Sequence, residues 1–125
     1  MEATKDQLLS TLTTLGFDTG SGIELVGGDS NFYCELVGDL YSDFLAEESP
    51  FLDCLTARPQ GNPDCIRKVH SLKSCLRTLG NKKGALLAET VERGLSEGMA
   101  LSNHISALNV SVETLRTQLR PILAS

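Results

Sequence analysis

The chain has no tryptophan, two tyrosines and four phenylalanines in 125 residues, and only two histidines. The histidines, His70 and His104, stand far apart with no acidic cluster to match them, which argues against a hydrolase or a resident metal centre. Cofactors are accordingly expected to be none. The four cysteines (Cys34, Cys54, Cys65, Cys75) contain no Cys-x-x-Cys pair and lack the density of a disulfide scaffold. Cys65 and Cys75 would lie about 15 Å apart by helical rise, too far to bridge each other. Reduced thiols acting as small core hydrophobes are therefore expected. No apolar run approaches bilayer length, and no glycine-rich nucleotide loop or kinase element is present, so autonomous kinase activity is not expected. Acids stand in Met1-Glu2-Ala3-Thr4-Lys5-Asp6 where a signal peptide would be basic, so the expected compartment is the cytoplasm, with no membrane association. Asn109-Val110-Ser111 matches a glycosylation acceptor but falls within a helical pattern and is discounted.

The longest stretch without acidic residues is also rich in basic ones. From Cys65 to Ala88 there are six basic residues (Arg67, Lys68, Lys73, Arg77, Lys82, Lys83) and no Asp or Glu, whereas residues 1–64 hold two basic and twelve acidic residues. The net charge of −5 and the lack of aromatics between the basic residues argue against a nucleic-acid surface as the reading of this stretch.

No segment alternates with period two over a useful length, so no sheet is expected. The chain reads as one domain over 1–125, all-α, an antiparallel up-down four-helix bundle with additional short N-terminal helices. Leu8, Leu12 and Leu15 mark a short helix ending at Gly16, and Phe17 to Gly22 reads as a loop before a helical turn through Ile23–Val26. Asp29 caps a long helix to about Glu48, with Phe32, Leu36, Leu40 and Phe44 as its ladder and Tyr33, Val37, Tyr41 and Leu45 beside it. Ser49-Pro50 opens a further stretch to Ala57. Asn62-Pro63-Asp64 starts the next long helix, which Gly80 ends. Asn81 caps another, with Leu86, Leu87, Val91 and Leu95 expected inward until Gly98. A last helix from about Leu101 presents Ile105, Leu108, Val112, Leu115 and Leu119, and Pro121 is expected to close it. No heptad seam suggests dimerisation, so a monomer is expected.

On the helix after Asn62, at 100° per residue, Cys65, Val69, Leu72, Leu76 and Leu79 fall within an arc of about 80° and form the buried stripe. His70 lies roughly 140° from the middle of that stripe, so it should be exposed. Arg67 and Lys73 sit one turn to either side, Ser74 is at i+4 and Arg77 two turns on. A histidine with cations above and below and a small neighbour suits an anionic group. The plainer alternative, a solvated helix face with no partner, does not require a histidine at its centre. His104 lacks such a surround and is not expected to act.

These residues carry a resemblance. His70-Ser71-Leu72-Lys73-Ser74 followed by Leu79-Gly80 is similar to the His-x-Leu-Lys-Gly and Leu-Gly signature of the histidine-containing phosphotransfer (HPt) domains of two-component phosphorelays. Gly16-Phe17-Asp18, Val26-Gly27-Gly28-Asp29, Asn31-Phe32-Tyr33 and Val91-Glu92 match further blocks, so the resemblance spans residues 16–120. It implies that His70 accepts a phosphoryl group from an aspartyl phosphate on a receiver domain and passes it to another. The chain would be a carrier whose partners are a response-regulator receiver or a hybrid histidine kinase. Lys73 would stabilise the phosphoryl group, and Arg77 or Arg67 would meet it or the partner. Magnesium is expected on the receiver. Ser74 replaces the family glycine that gives clearance beside the histidine, and a serine is small enough to keep it. The alternative is a non-catalytic helical module that binds a receiver or kinase while His70 stays idle.

Overall fold

The computed structural model of the chain describes residues 2–46, 62–99 and 102–123. Among them are only helices: α1 (Glu2–Thr14), α2 (Thr19–Leu25), α3 (Ser30–Leu40) continuing into a π-helical turn (Tyr41–Leu45), α4 (Pro63–Thr78), α5 (Lys82–Ser96) and α6 (Ser102–Leu123). Helix α4 packs chiefly on α5, α5 on α6, and α6 on both α1 and the π-helical turn. The stretch from Ser49-Pro50 to Ala57 lies outside the described residues.

The cap signals in the sequence are realised in atoms. Asp29 accepts from the backbone N–H groups of Asn31 and Phe32, both at 3.0 Å, and Asn62 accepts from those of Asp64 and Cys65. Asn81 accepts from Gly84 N at 2.8 Å. At the end of α4, Gly80 takes a φ of +96°, which lets Gly80 N reach Arg77 O and Asn81 N reach Leu76 O, closing the helix.

Helix α4 buries Cys65, Val69, Leu72 and Leu76, and Leu79 follows them into the core, as the periodicity requires. Its end is fixed by contacts far off in sequence. Asp18 N donates to Gly80 O at 3.0 Å, and the Tyr33 hydroxyl donates to Leu79 O at 2.6 Å. Gly22 lies between them: a Cβ there would come within 2.5 Å of the Tyr33 ring and 2.8 Å of Leu79 O. The sequence blocks around Gly16–Asp18, Tyr33 and Leu79-Gly80 thus meet in one joint that holds α4.

Several expectations change. Helix α2 begins at Thr19 rather than Ile23, because the Asp18 side chain caps it at Ser21 N. On α3 the inward column is Tyr33, Val37 and Leu40, while Phe32 is 45% exposed. That helix ends at Leu45, earlier than expected: Ala46 N bonds Tyr41 O, and Ala46 then turns to extended backbone. On α5 the buried side is Gly84, Ala85, Ala88, Val91 and Leu95, with Leu86 62% exposed; small residues let α5 approach its neighbours closely. Pro121 does not close α6, which runs on to Leu123 because Ile122 and Leu123 pack against the core. Cys65 is disulfide-bonded rather than reduced, while Cys34 and Cys75 are free thiols.

Candidate functional site

His70 projects from the middle of α4 with its side chain 54% exposed, on the side away from the buried stripe. Across from it, α5 supplies Glu92, the residue after the buried Val91 and so at the edge of the α5 core face. Glu92 Oε2 lies 2.7 Å from His70 Nδ1, and Glu92 Oε1 accepts from Lys73 Nζ at 2.7 Å. One carboxylate therefore clamps two α4 side chains a single turn apart, using both oxygens. Burial by itself raises the Glu92 carboxyl. The hydrogen bonds and charges of Lys73 and His70 outweigh it and hold the group below its usual range.

That carboxylate settles the proton on the ring. A carboxylate only accepts, so Nδ1 must be the N–H that donates to it. In the neutral imidazole the lone pair is then on Nε2, which makes no hydrogen bond among the described residues. The arrangement is a nucleophilic nitrogen facing outward, on a ring whose tautomer and orientation are set from behind.

The other sequence candidates divide. Lys73 is only 12% exposed on its side chain and is engaged by Glu92. Arg67 is exposed and paired with Asp64 one turn before it. Arg77 is exposed and makes no ion pair among the described residues. Ser74 is exposed, and its hydroxyl has no hydrogen bond among the described residues, whereas Thr13, Thr14 and Thr90 each donate to the carbonyl four residues back. The basic stretch is not an unbroken cationic face. Glu89 and Glu92 of α5 and Glu97 at its C-cap line the depression of about 270 Å³ beside Lys73 together with Arg93, so the surface next to Lys73 is of mixed charge. His104 is exposed in the first turn of α6 and has no partner among the described residues.

Sequence reasoning placed Glu92 in a matching block but did not join it to His70. The separation of 22 residues carries no periodic signal, since it depends on how α4 and α5 are set side by side. Among the described residues no group of three or more His, Cys, Asp or Glu side chains could hold a metal ion, and no helix is long and apolar enough to cross a membrane. No family model, curated protein or solved structure matches the chain.

Proposed function

We propose that this chain is a phosphoryl carrier of the HPt kind, in which His70 Nε2 takes a phosphoryl group from the aspartyl phosphate of one receiver domain and gives it to the aspartate of another. The observation that carries the reading is the Glu92–His70 pair, which leaves an exposed Nε2 lone pair on a ring held in place. In the forward step the Nε2–P bond forms and the aspartyl O–P bond breaks, with the electron pair leaving on the receiver's carboxylate. The ring gains positive charge, and Glu92 at Nδ1–H offsets it. In the return step an acceptor aspartate attacks phosphorus and the ring leaves as neutral imidazole. Positioning and charge supply most of what such a transfer needs. Ser74 leaves room beside the ring, Arg77 is the cation available to the incoming group or its carrier, and Lys73 reaches phosphate only by sharing or releasing Glu92.

The reading also takes the long helices as an antiparallel up-down four-helix bundle, acting as a monomer in the cytoplasm. Its test is incubation with phosphorylated receiver domains of the source organism, read as acid-labile phosphate on this chain. Wild-type protein is expected to gain the label and His70→Gln to gain none. A His70→Gln protein labelled like wild type, or a wild-type protein labelled by no receiver, contradicts the carrier role.

A further inference from the structure

We propose that Lys73 is a positioning residue, which sets the His70 ring through Glu92 and does not itself meet the phosphoryl group. Under the phosphoryl-carrier reading on which this rests, the lysine is moved off phosphate, where the family resemblance would place it.

Lys73 follows His70 by three residues, so both side chains leave the same side of α4. Glu92 of α5 receives both, Oε2 from His70 Nδ1 and Oε1 from Lys73 Nζ, each at 2.7 Å. The Lys73 side chain is 12% exposed and that of Glu92 19%, against 54% for His70. The ammonium is therefore lodged against α5 while the ring stands in solvent. The polar link from ring to ammonium runs through the carboxylate at Nδ1, whereas a phosphoryl group on Nε2 grows from the other nitrogen.

To reach that group, Lys73 would have to leave Oε1 and strip a partly buried carboxylate of its lysine partner. No other cation is placed to take over. Arg93, which also lines the depression beside Lys73, lies 4.0 Å from Glu89 instead. Burial raises the Glu92 carboxyl, and the Lys73 hydrogen bond comes first among the effects that bring it below its ordinary value. The lysine thus keeps the acceptor of Nδ1–H ionised and anchored. Without it the glutamate regains its rotamer freedom, and the ring loses a fixed partner. Counter-charge for the phosphoryl oxygens then falls to Arg77, exposed and without an ion pair among the described residues, and to the docking partner.

The test reads His70 ring ¹⁵N shifts on unphosphorylated protein above the imidazole range of pH, and times phosphoramidate labelling at the same pH. Wild type should hold the Nδ1–H form. Lys73→Met, which keeps the packed stem and removes the charge, should give a mixture of both tautomers. It should slow labelling about tenfold in wild type but less than about twofold in Glu92→Gln, where the carboxylate it holds is already gone. Lys73→Arg, which returns a donor to Oε1, should restore the single tautomer and most of the rate. An equal loss in both backgrounds is the mark of direct contact with phosphate and overturns the proposal, as does a Lys73→Met ring that keeps the wild-type tautomer. A wild-type chain that takes no label contradicts the carrier reading instead, and the ring shifts alone then decide what Lys73 does.

Discussion

Helix α4 carries His70 on a face where side chains stand in solvent, and three turns later it ends in a joint where three segments meet within hydrogen-bonding distance. At the His70 face the contacts are few and directional: one carboxylate holds two side chains, and Nε2, Ser74 and Arg77 stay unengaged among the described residues. At the Leu79-Gly80 joint almost every atom is committed: to Asp18 N, to the Tyr33 hydroxyl and to the space a side chain on Gly22 would fill. The difference separates two demands on a single helix. The joint fixes where α4 sits, and the open face uses that fixity to present a nitrogen. Substitutions at the joint should therefore cost stability and spare chemistry, and those at the face should do the reverse.

The sharpest way to break this division is Gly80→Ala. The added Cβ would collide with Asp18 O on a backbone of positive φ, so a loss of about 3 kcal/mol is expected by denaturant titration. Labelling of His70 by phosphoramidate, a small donor that needs no docking, should persist in the folded fraction. Next is Glu92→Gln, which keeps an acceptor for Nδ1–H but removes the charge. It should slow phosphoryl transfer about tenfold, and Glu92→Ala, which also frees the ring, about a hundredfold, with a loss of Tm at neutral pH smaller than that of Gly80→Ala. Because the folded carboxyl is held below its ordinary value of 4.5, its contribution to stability is present above that value and fades as pH falls through the folded value. Denaturation of wild type and Glu92→Gln in a pH series should show their difference shrinking in acid.

Tyr33→Phe sharpens the other side of the comparison. It leaves Leu79 O without its donor and should cost about 1–2 kcal/mol, with transfer unchanged once the protein is folded. The smallest effect is expected from Ser74→Gly. It widens an approach that is already open and should change transfer less than about threefold, while lowering stability by roughly 0.5–1 kcal/mol through the glycine in mid-helix.

The sequence carried the local half of this picture. The buried stripe of α4 is legible because its apolar residues recur at helical spacing with polar residues between, and the Asn62 and Asn81 caps are legible because capping is a contact of two or three residues. Where two apolar columns compete, periodicity has no means of choosing. On α3 both Phe32 and Tyr33 lead a ladder, and the choice falls to Tyr33 because its hydroxyl finds Leu79 O, 46 residues away. On α5 the larger Leu86 gives way to Gly84, Ala85 and Ala88 because close helix packing favours small side chains. His70 was visible for the same reason as the stripe: it lies opposite to it. Glu92 as its partner was not, since the register between α4 and α5 follows from packing that no single-helix pattern encodes.

The central claim concerns one atom, His70 Nε2, and can be tested at that atom. Protein carrying ¹⁵N-labelled histidine is phosphorylated with phosphoramidate and observed by ³¹P and ¹⁵N NMR. The account predicts a single phosphohistidine whose phosphorus couples to the Nε2 of His70, with Nδ1 still protonated against Glu92. Phosphorus bonded to Nδ1, or label on His104 with none on His70, would contradict it.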